Sequence, residues 1–373
     1  MAALVGFTSP SPRITFLSSR GSNRWWFSPA GFARYTQGFY YIYSFRKSAI
    51  QCHYPAMPQI SVIIPTYNTA LLIERTLHSV LGQTGNPDLE ILVIDDCSTD
   101  DTLSVVARLV DSRIHVLRQE RNQGPAAARN LGLREAKAEY CAFLDGDDFW
   151  EPEFLNATVS FLESHHDCVA VSVGQCHKII GKQPSFVPKQ QEYSEPVQLP
   201  DFFNFWAKYN HVCTGSVLMR TAIAREAGGQ REDLRICEDL EFWALLATYG
   251  PWGFIPKTLF TSDGGEVTRK QGWLEKNIRR WQNAPTMEEW MKRLATRQVT
   301  TTQAFQVCLG RIARNLAYCQ IMSQREKLAR QTTREYGKDF PQSKLNKLLR
   351  LASASPCLWH CLCALLRFRE YRR

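Results

Sequence analysis

The sequence predicts an α/β fold, a doubly wound and mostly parallel sheet with flanking helices, followed by a C-terminal helical extension. Three observations carry that expectation. Short β-branched runs alternate with amphipathic helical stretches between residues 60 and 144, the pattern of successive strand–helix–strand crossovers. Acidic and turn-forming residues gather directly after those runs, where ligands bind in sheets of this kind. From about Trp273 onward the chain is helix-forming and basic. The organisation that follows is an extension over 1–58, an α/β domain over 59–270 that carries the candidate site and a basic helical region over 271–373.

The elements follow in order. Ile60-Ser61-Val62-Ile63-Ile64, closed by Pro65, is the first strand. A helix follows whose apolar stripe is Ile73, Leu77, Val80 and Leu81, and it stops at Gly82. Glu90-Ile91-Leu92-Val93-Ile94 is the second strand, and Ser98 with Asp101 has the spacing of a capping box for a helix through Val105, Val106 and Leu109. Ile114-His115-Val116-Leu117 is the third strand. Pro125 is a natural first helical residue for a helix to about Lys137, and Tyr140-Cys141-Ala142-Phe143-Leu144 is the fourth strand. Further on, strands are expected near 168–173 and 215–219, helices at 201–209 and 237–249, and a polar loop across 181–197.

Charge is distributed unevenly. Residues 1–59 hold 6 basic and no acidic side chains, 60–268 hold 17 and 29, and 269–373 hold 22 and 7. An acidic middle argues against a nucleic-acid groove through the fold. The basic tail points either to an anionic surface, such as lipid headgroups, or to a solvated helical bundle. Twelve irregularly spaced cysteines, with Cys97 and Cys141 in or beside strands, read as reduced core thiols of a cytoplasmic protein. Cys357, His360, Cys361 and Cys363 do not share one helix face, which argues against a tetrahedral zinc site. No run approaches the ~18 apolar residues of a membrane span. The acid-poor, Ser- and Arg-rich first segment resembles a transit peptide; alternatively Met57 is the start.

Four strand ends bring suggestive groups to one rim: Pro65-Thr66-Tyr67-Asn68, Asp95-Asp96, Asn122-Gln123-Gly124 and Asp145-Gly146-Asp147-Asp148. A single carboxylate there is ordinarily a cap or a turn. Five carboxylates at two strand ends repel one another unless a cation neutralises some of them, and hard oxygen ligands suit Mg²⁺ or Mn²⁺.

Between Ile60 and about Arg269 the sequence resembles the family 2 glycosyltransferases, which have the nucleotide-sugar-binding GT-A fold. The resemblance rests on Val62-Ile63-Ile64-Pro65-Thr66-Tyr67-Asn68, Val93-Ile94-Asp95-Asp96-Cys97-Ser98-Thr99-Asp100, Asn122-Gln123-Gly124-Pro125-Ala126-Ala127-Ala128-Arg129-Asn130, Phe143-Leu144-Asp145-Gly146-Asp147-Asp148 and Cys237-Glu238-Asp239, in that order. It implies metal-dependent, inverting transfer of a sugar from a nucleotide-diphospho-sugar to a glycan or lipid-linked hydroxyl, in synthesis of envelope polysaccharide, lipopolysaccharide or glycolipid. Pro65, Tyr67 and Asn68 would lie along the nucleotide, Asp96 with Asp95 near the base, and Arg129 near base and phosphates. Asp147 and Asp145 match the Asp-x-Asp metal motif, Asp145 facing ribose or metal; Asp148 would be an outer acceptor or the cap of the helix entering at Pro152. Glu238 and Asp239 match the catalytic acid pair, with Asp239 the general base at the start of a helix striped by Leu240, Trp243, Ala244 and Ala247. Thr214 would line the sugar pocket, with His211 a weaker candidate. Arg269, in a loop at 262–273 that does not match the family motif cleanly, would reach the diphosphate. A sugar nucleotidyltransferase is the main alternative, but Thr66-Tyr67-Asn68-Thr69-Ala70 lacks that class's Gly-rich basic loop. A non-catalytic carbohydrate-binding relative is the other.

The chain end reads as a helix on a membrane surface. Leu358, Trp359, Leu362, Leu365 and Leu366 lie between Lys347 and Arg350 on one side and Arg367, Arg369, Arg372 and Arg373 on the other. The stretch 357–368 is too short to span a bilayer. Either the helix lies peripherally on the inner face of the cell membrane, or its leucines pack on the preceding helices.

Overall fold

The computed structural model describes residues 34–36, 39–41, 58–178, 183–189, 192–263, 273–297 and 302–371. Two compact units divide between Ala56 and Met57. In the first, β1 (Arg34–Thr36) pairs antiparallel with β2 (Phe39–Tyr41); the rest of the expected 1–58 extension lies outside the described residues, save Pro58.

In the second unit β3 (Ile60–Thr66) and β4 (Leu89–Asp95) are buried along their whole length. That is why they read as continuous apolar runs rather than alternating ones: helices cover both faces. Parallel pairing runs β6 (Tyr140–Phe143), β3, β4 and β5 (Ile114–Arg118), and the partly exposed β5 is the edge. On the other side of β6 lie the antiparallel β11 (Val217–Arg220), then β8 (Ala170–His177) and β12 (Trp252–Ser262), which are mutually parallel. Two-residue β7 (Phe149–Trp150) pairs with β12.

Helices α1 (Ile73–Leu81), α2 (Thr102–Arg108), α3 (Pro125–Glu135) and α4 (Phe154–Ser164) follow the first strands as expected. Two local expectations fail. Ser98 does not cap α2; Asp100 accepts from the Thr102 amide at 3.0 Å, and Ser98 Oγ accepts from the Asn68 amide at 3.0 Å. The polar stretch 181–197 holds β9 (Ser185–Val187) and the start of β10 (Val197–Gln198), paired to β8 and β12. Edge pairing, not intrinsic propensity, makes those strands.

The helical half comprises α5 (Phe202–Tyr209), α6 (Thr221–Glu226), α7 (Glu238–Leu246), α8 (Trp273–Trp281), α9 (Met287–Met291), α10 (Gln303–Met322), α11 (Glu326–Tyr336), α12 (Lys344–Ala352) and α13 (Pro356–Tyr371). Phe305 of α10 meets Phe203 edge-on at 5.1 Å, so the late helices share one core with the sheet's helical face. Trp359, Leu362 and Cys363 of α13 pack with Ile321, Met322, Leu349 and Ala352. The packed alternative thus describes one face of α13; the opposite face is exposed at Leu358 and Leu365. No described helix is long and apolar enough to cross a membrane.

Candidate active site

The carboxyl ends of β3, β4 and β6 open into a cavity of about 630 Å³ that also receives the start of α7 and the end of α8. Of the residues expected here, Pro65, Tyr67, Asp96, Arg129, Asp145, Asp147, Thr214, Glu238 and Asp239 line it. Asn68 and Asp95 do not. Asn68 adopts a left-handed backbone (φ 55°) and its Oδ1 accepts from the Thr99 amide at 2.8 Å, fastening the first loop to the second. Asp95 is fully buried, accepts from the Ser98 amide at 3.1 Å and lies 3.2 Å from Arg118 Nε. Both residues shape the rim rather than face it. Arg269 lies outside the described residues.

Asp96 is held by Gln119 Nε2 at 2.7 Å and by the amides of Gln123 at 2.7 Å and Gly124 at 2.8 Å. The last two amides precede α3, so the carboxylate sits where a helix favours negative charge. A carboxylate has about four acceptor positions, which leaves one for a base N–H. Gly124 is required there: φ is +93°, and a β-carbon would stand 2.8 Å from Arg235 Nη1.

One turn into α3, buried Arg129 donates to Asp145 Oδ1 at 2.6 Å and to Gln230 Oε1 at 3.0 Å. Burial opposes its charge, but Asp145, Glu238 and Asp239 together raise its pKa above the ordinary guanidinium value. The guanidinium therefore belongs electrostatically to both carboxylate groups of the cavity. Neighbouring Asn130 exchanges hydrogen bonds with the Gln230 backbone, at 2.7 and 2.8 Å, and so ties α3 to the loop preceding α7.

Asp145, Asp147 and Asp148 crowd one turn. Burial first, then repulsion from Asp145, raises Asp147 to about 6. Burial and both neighbouring aspartates push Asp148 well above the ordinary value. Asp148 does not cap the helix entering at Pro152; it lines the cavity as an outer acceptor, its Oδ1 accepting from the Asp263 amide at 3.0 Å and joining this turn to the end of β12. Arg75, which no motif flagged, holds the Asp147 carbonyl at 2.8 Å and Asp263 Oδ2 at 2.6 Å, with its guanidinium 4.8 Å above Phe149. It grips the backbone of the turn and leaves the Asp147 carboxylate to another cation.

Among the described residues no group of three or more His, Cys, Asp or Glu side chains forms a complete metal cage. A hard divalent ion held by Asp147 and Asp145 would draw its remaining ligands from diphosphate and water, the habit of Mg²⁺ and its relatives. The repulsion that remains at this turn beside Arg129 and Arg75 fits such an ion.

Helix α7 starts from Cys237 in a left-handed conformation (φ 59°), which turns Glu238 and Asp239 into the cavity at the helix N-terminus. Burial, then Glu238, raises Asp239 to about 6, against the pull of Arg129 and Arg280. Three late residues hold this turn: Arg280 Nη2 lies 3.1 Å from Glu238 Oε1, Trp290 Nε1 donates to the Cys237 carbonyl at 2.9 Å, and Arg293 Nε donates to buried Glu241 at 2.8 Å. Burial extends around most of α7 rather than along one stripe, with Leu240 and Ala247 only partly covered. Phe242 and Trp243 pack on Phe143 and Trp252 of the sheet, while Trp290 and Arg293 bond to Cys237 and Glu241. Sequence reasoning missed Arg280 because it lies on a basic helix with no motif around it.

Thr214 reaches the cavity from the loop before β11. Gly215 follows at φ +91°, and a β-carbon there would stand 2.2 Å from the Phe260 ring. Its carbonyl accepts from Trp150 Nε1 at 2.6 Å. His211 is elsewhere: fully buried among Phe202, Phe205 and Phe254, with desolvation depressing it to about 3. It is a neutral core ring.

Comparison with known proteins bears on the family and the fold. The model of the family described as glycosyl transferase family 2 matches residues 61–226. A putative teichuronic acid biosynthesis glycosyltransferase, TuaG of Bacillus subtilis, is 45% identical over 107 residues, which are 28% of this chain and 42% of that protein. The Escherichia coli UDP-Glc:alpha-D-GlcNAc-diphosphoundecaprenol beta-1,3-glucosyltransferase WfaP is 40% identical over 108 residues, 29% of this chain and 43% of that one. The chain thus spans about two fifths of the length of these relatives. The crystal structure of S. aureus TarS 1–349 in complex with UDP-GlcNAc superposes with TM-score 0.58 at 21% identity, over 84% of this chain and 91% of that one. That likeness shows the fold, which is the expected GT-A fold.

Proposed function

From the premise that this chain carries a family 2 glycosyltransferase domain, we propose that it transfers a sugar from a nucleotide-diphospho-sugar to a hydroxyl of a glycan or lipid-linked acceptor, with inversion at the anomeric carbon. One observation carries the reading: Arg129 lies between the Asp145–Asp147 turn and the Glu238–Asp239 turn, in a single cavity.

In this account Pro65, Tyr67 and Asp96 receive the nucleoside, and Arg129 orients Asp145 beside ribose and phosphates. Asp147 and Asp145 would hold Mn²⁺ or Mg²⁺, which when bound supplies Lewis-acid stabilisation of the leaving diphosphate. Asp239 takes the proton from the acceptor hydroxyl as its oxygen forms the new bond to the anomeric carbon. The bond from that carbon to the diphosphate oxygen breaks in the same displacement, and the electron pair leaves with nucleoside diphosphate. Glu238, fixed by Arg280, orients the base and keeps its proton affinity high. The Lys- and Arg-bearing helices α12 and α13 suit a cytoplasmic enzyme whose acceptor is presented at the inner membrane face, in synthesis of an envelope polysaccharide or glycolipid.

The experiment is NMR of the product formed from an α-linked donor and a soluble acceptor analogue. A β-linked product supports single displacement; an α-linked product would remove Asp239 from the role of base. Formation of a nucleotide-sugar with release of pyrophosphate, when a nucleoside triphosphate and a sugar 1-phosphate are supplied in place of the donor, would instead favour a sugar nucleotidyltransferase.

A further inference from the structure

Helix α13 is apolar on two opposite faces. Trp359, Leu362 and Cys363 face the helical core. Leu358, Cys361 and Leu365 recur at helical spacing on the other side, and both leucines are 61% exposed. Exposed Phe368 continues that row. Helix α12 repeats the arrangement: Leu349 and Ala352 are buried, while Leu348 and Leu351 are exposed among exposed Lys344, Lys347 and Arg350.

The charges sort in the same way. Arg367 turns inward onto Glu326 at 2.6 Å, and exposed His360 lies 2.9 Å from the same carboxylate. Lys344, Lys347, Arg350 and Arg369 are exposed and form no ion pair with a described residue. Residues 344–373 hold seven basic side chains and one acidic one.

We propose that the exposed leucines and basic side chains of α12 and α13 dock the protein onto an anionic lipid surface. Leucines ringed by Lys and Arg match the boundary between acyl chains and anionic headgroups. A second copy of the chain is a poorer occupant: a two-fold contact through this face would set its lysines and arginines against each other. The inference deepens the membrane-face acceptor reading but is measured independently of transfer, so either can fail without the other.

The test is co-sedimentation of the full chain with vesicles of phosphatidylcholine and with vesicles mixing phosphatidylcholine equally with phosphatidylglycerol. Binding to the mixed vesicles alone is expected. Replacing Lys344, Lys347 and Arg350 by Gln should weaken it about fivefold per residue, and Leu358→Ser with Leu365→Ser by at least tenfold. All five side chains are exposed, so thermal unfolding should stay unchanged; if one variant unfolds early, the other carries the test. Equal partition to both vesicle types, or leucine variants that bind as before, would overturn the proposal. So would a dimer abolished by the leucine variants in a protein that ignores vesicles.

Discussion

In the proposed transfer, Asp239 is the residue on which the chemistry turns. A carboxyl raised to about 6 is protonated in mildly acidic solution and cannot accept a proton. The value of kcat/KM should therefore fall as pH drops through about 6, with the apparent value belonging to the Glu238–Asp239 pair. Asp239→Asn should lower turnover about 10²-fold or more while nucleoside diphosphate still binds; lost binding with surviving turnover would reverse the assignment. The same shift acts on stability with a definite sign. Because the folded-state pKa lies above the unfolded one, this group favours folding below the ordinary carboxylate value, and that contribution is lost as pH rises through about 6. Asp239→Asn should consequently melt no lower than wild type at pH above 7, a trade between stability and function. At the other carboxylate turn, Asp147→Ala should abolish stimulation by Mn²⁺, read as activity against metal concentration; full stimulation in the variant would move the ion elsewhere.

At the scale of elements, the four early strands and their helices were legible because their burial is set by local pattern: β-branched runs, Pro125 at a helix start, Gly82 at a helix end. The carboxylates of the rim were legible for the same reason, since each follows a strand directly. What escaped depends on partners distant in sequence. Strand β12 contains Pro256 and register shifts where it pairs with β8, which erase its alternation. Arg75, Gln230 and Arg280 become site residues only once α1, the loop before α7 and α8 converge. Asn68 and Asp95 show the converse: motif residues whose side chains hold loops in place. Gly215 illustrates how tightly one element is set. Gly215→Ala combines a left-handed backbone with a clash against Phe260, and should cost about 3 kcal/mol. The midpoint of urea unfolding checks it; an unchanged midpoint would mean that the turn can relax.

Across the whole molecule, residues 57–373 form one compact unit apart from the first 56. The late helices are structural parts of the candidate site rather than an appendage, since Arg280, Trp290 and Arg293 hold the start of α7. A chain beginning at Met57 should fold and keep its thermal midpoint and activity, whereas insolubility of that chain would show that the first unit is needed. The proposed transfer joins both halves of the cavity in one displacement. Its most direct measurement is release of nucleoside diphosphate from a panel of nucleotide-diphospho-sugars by wild type and Asp239→Asn, with Mn²⁺ and with excess chelator. Acceptor-dependent release from one donor is expected, lost in chelator and reduced about 10²-fold in the variant. Full release in chelator, or equal release by both proteins, would contradict it.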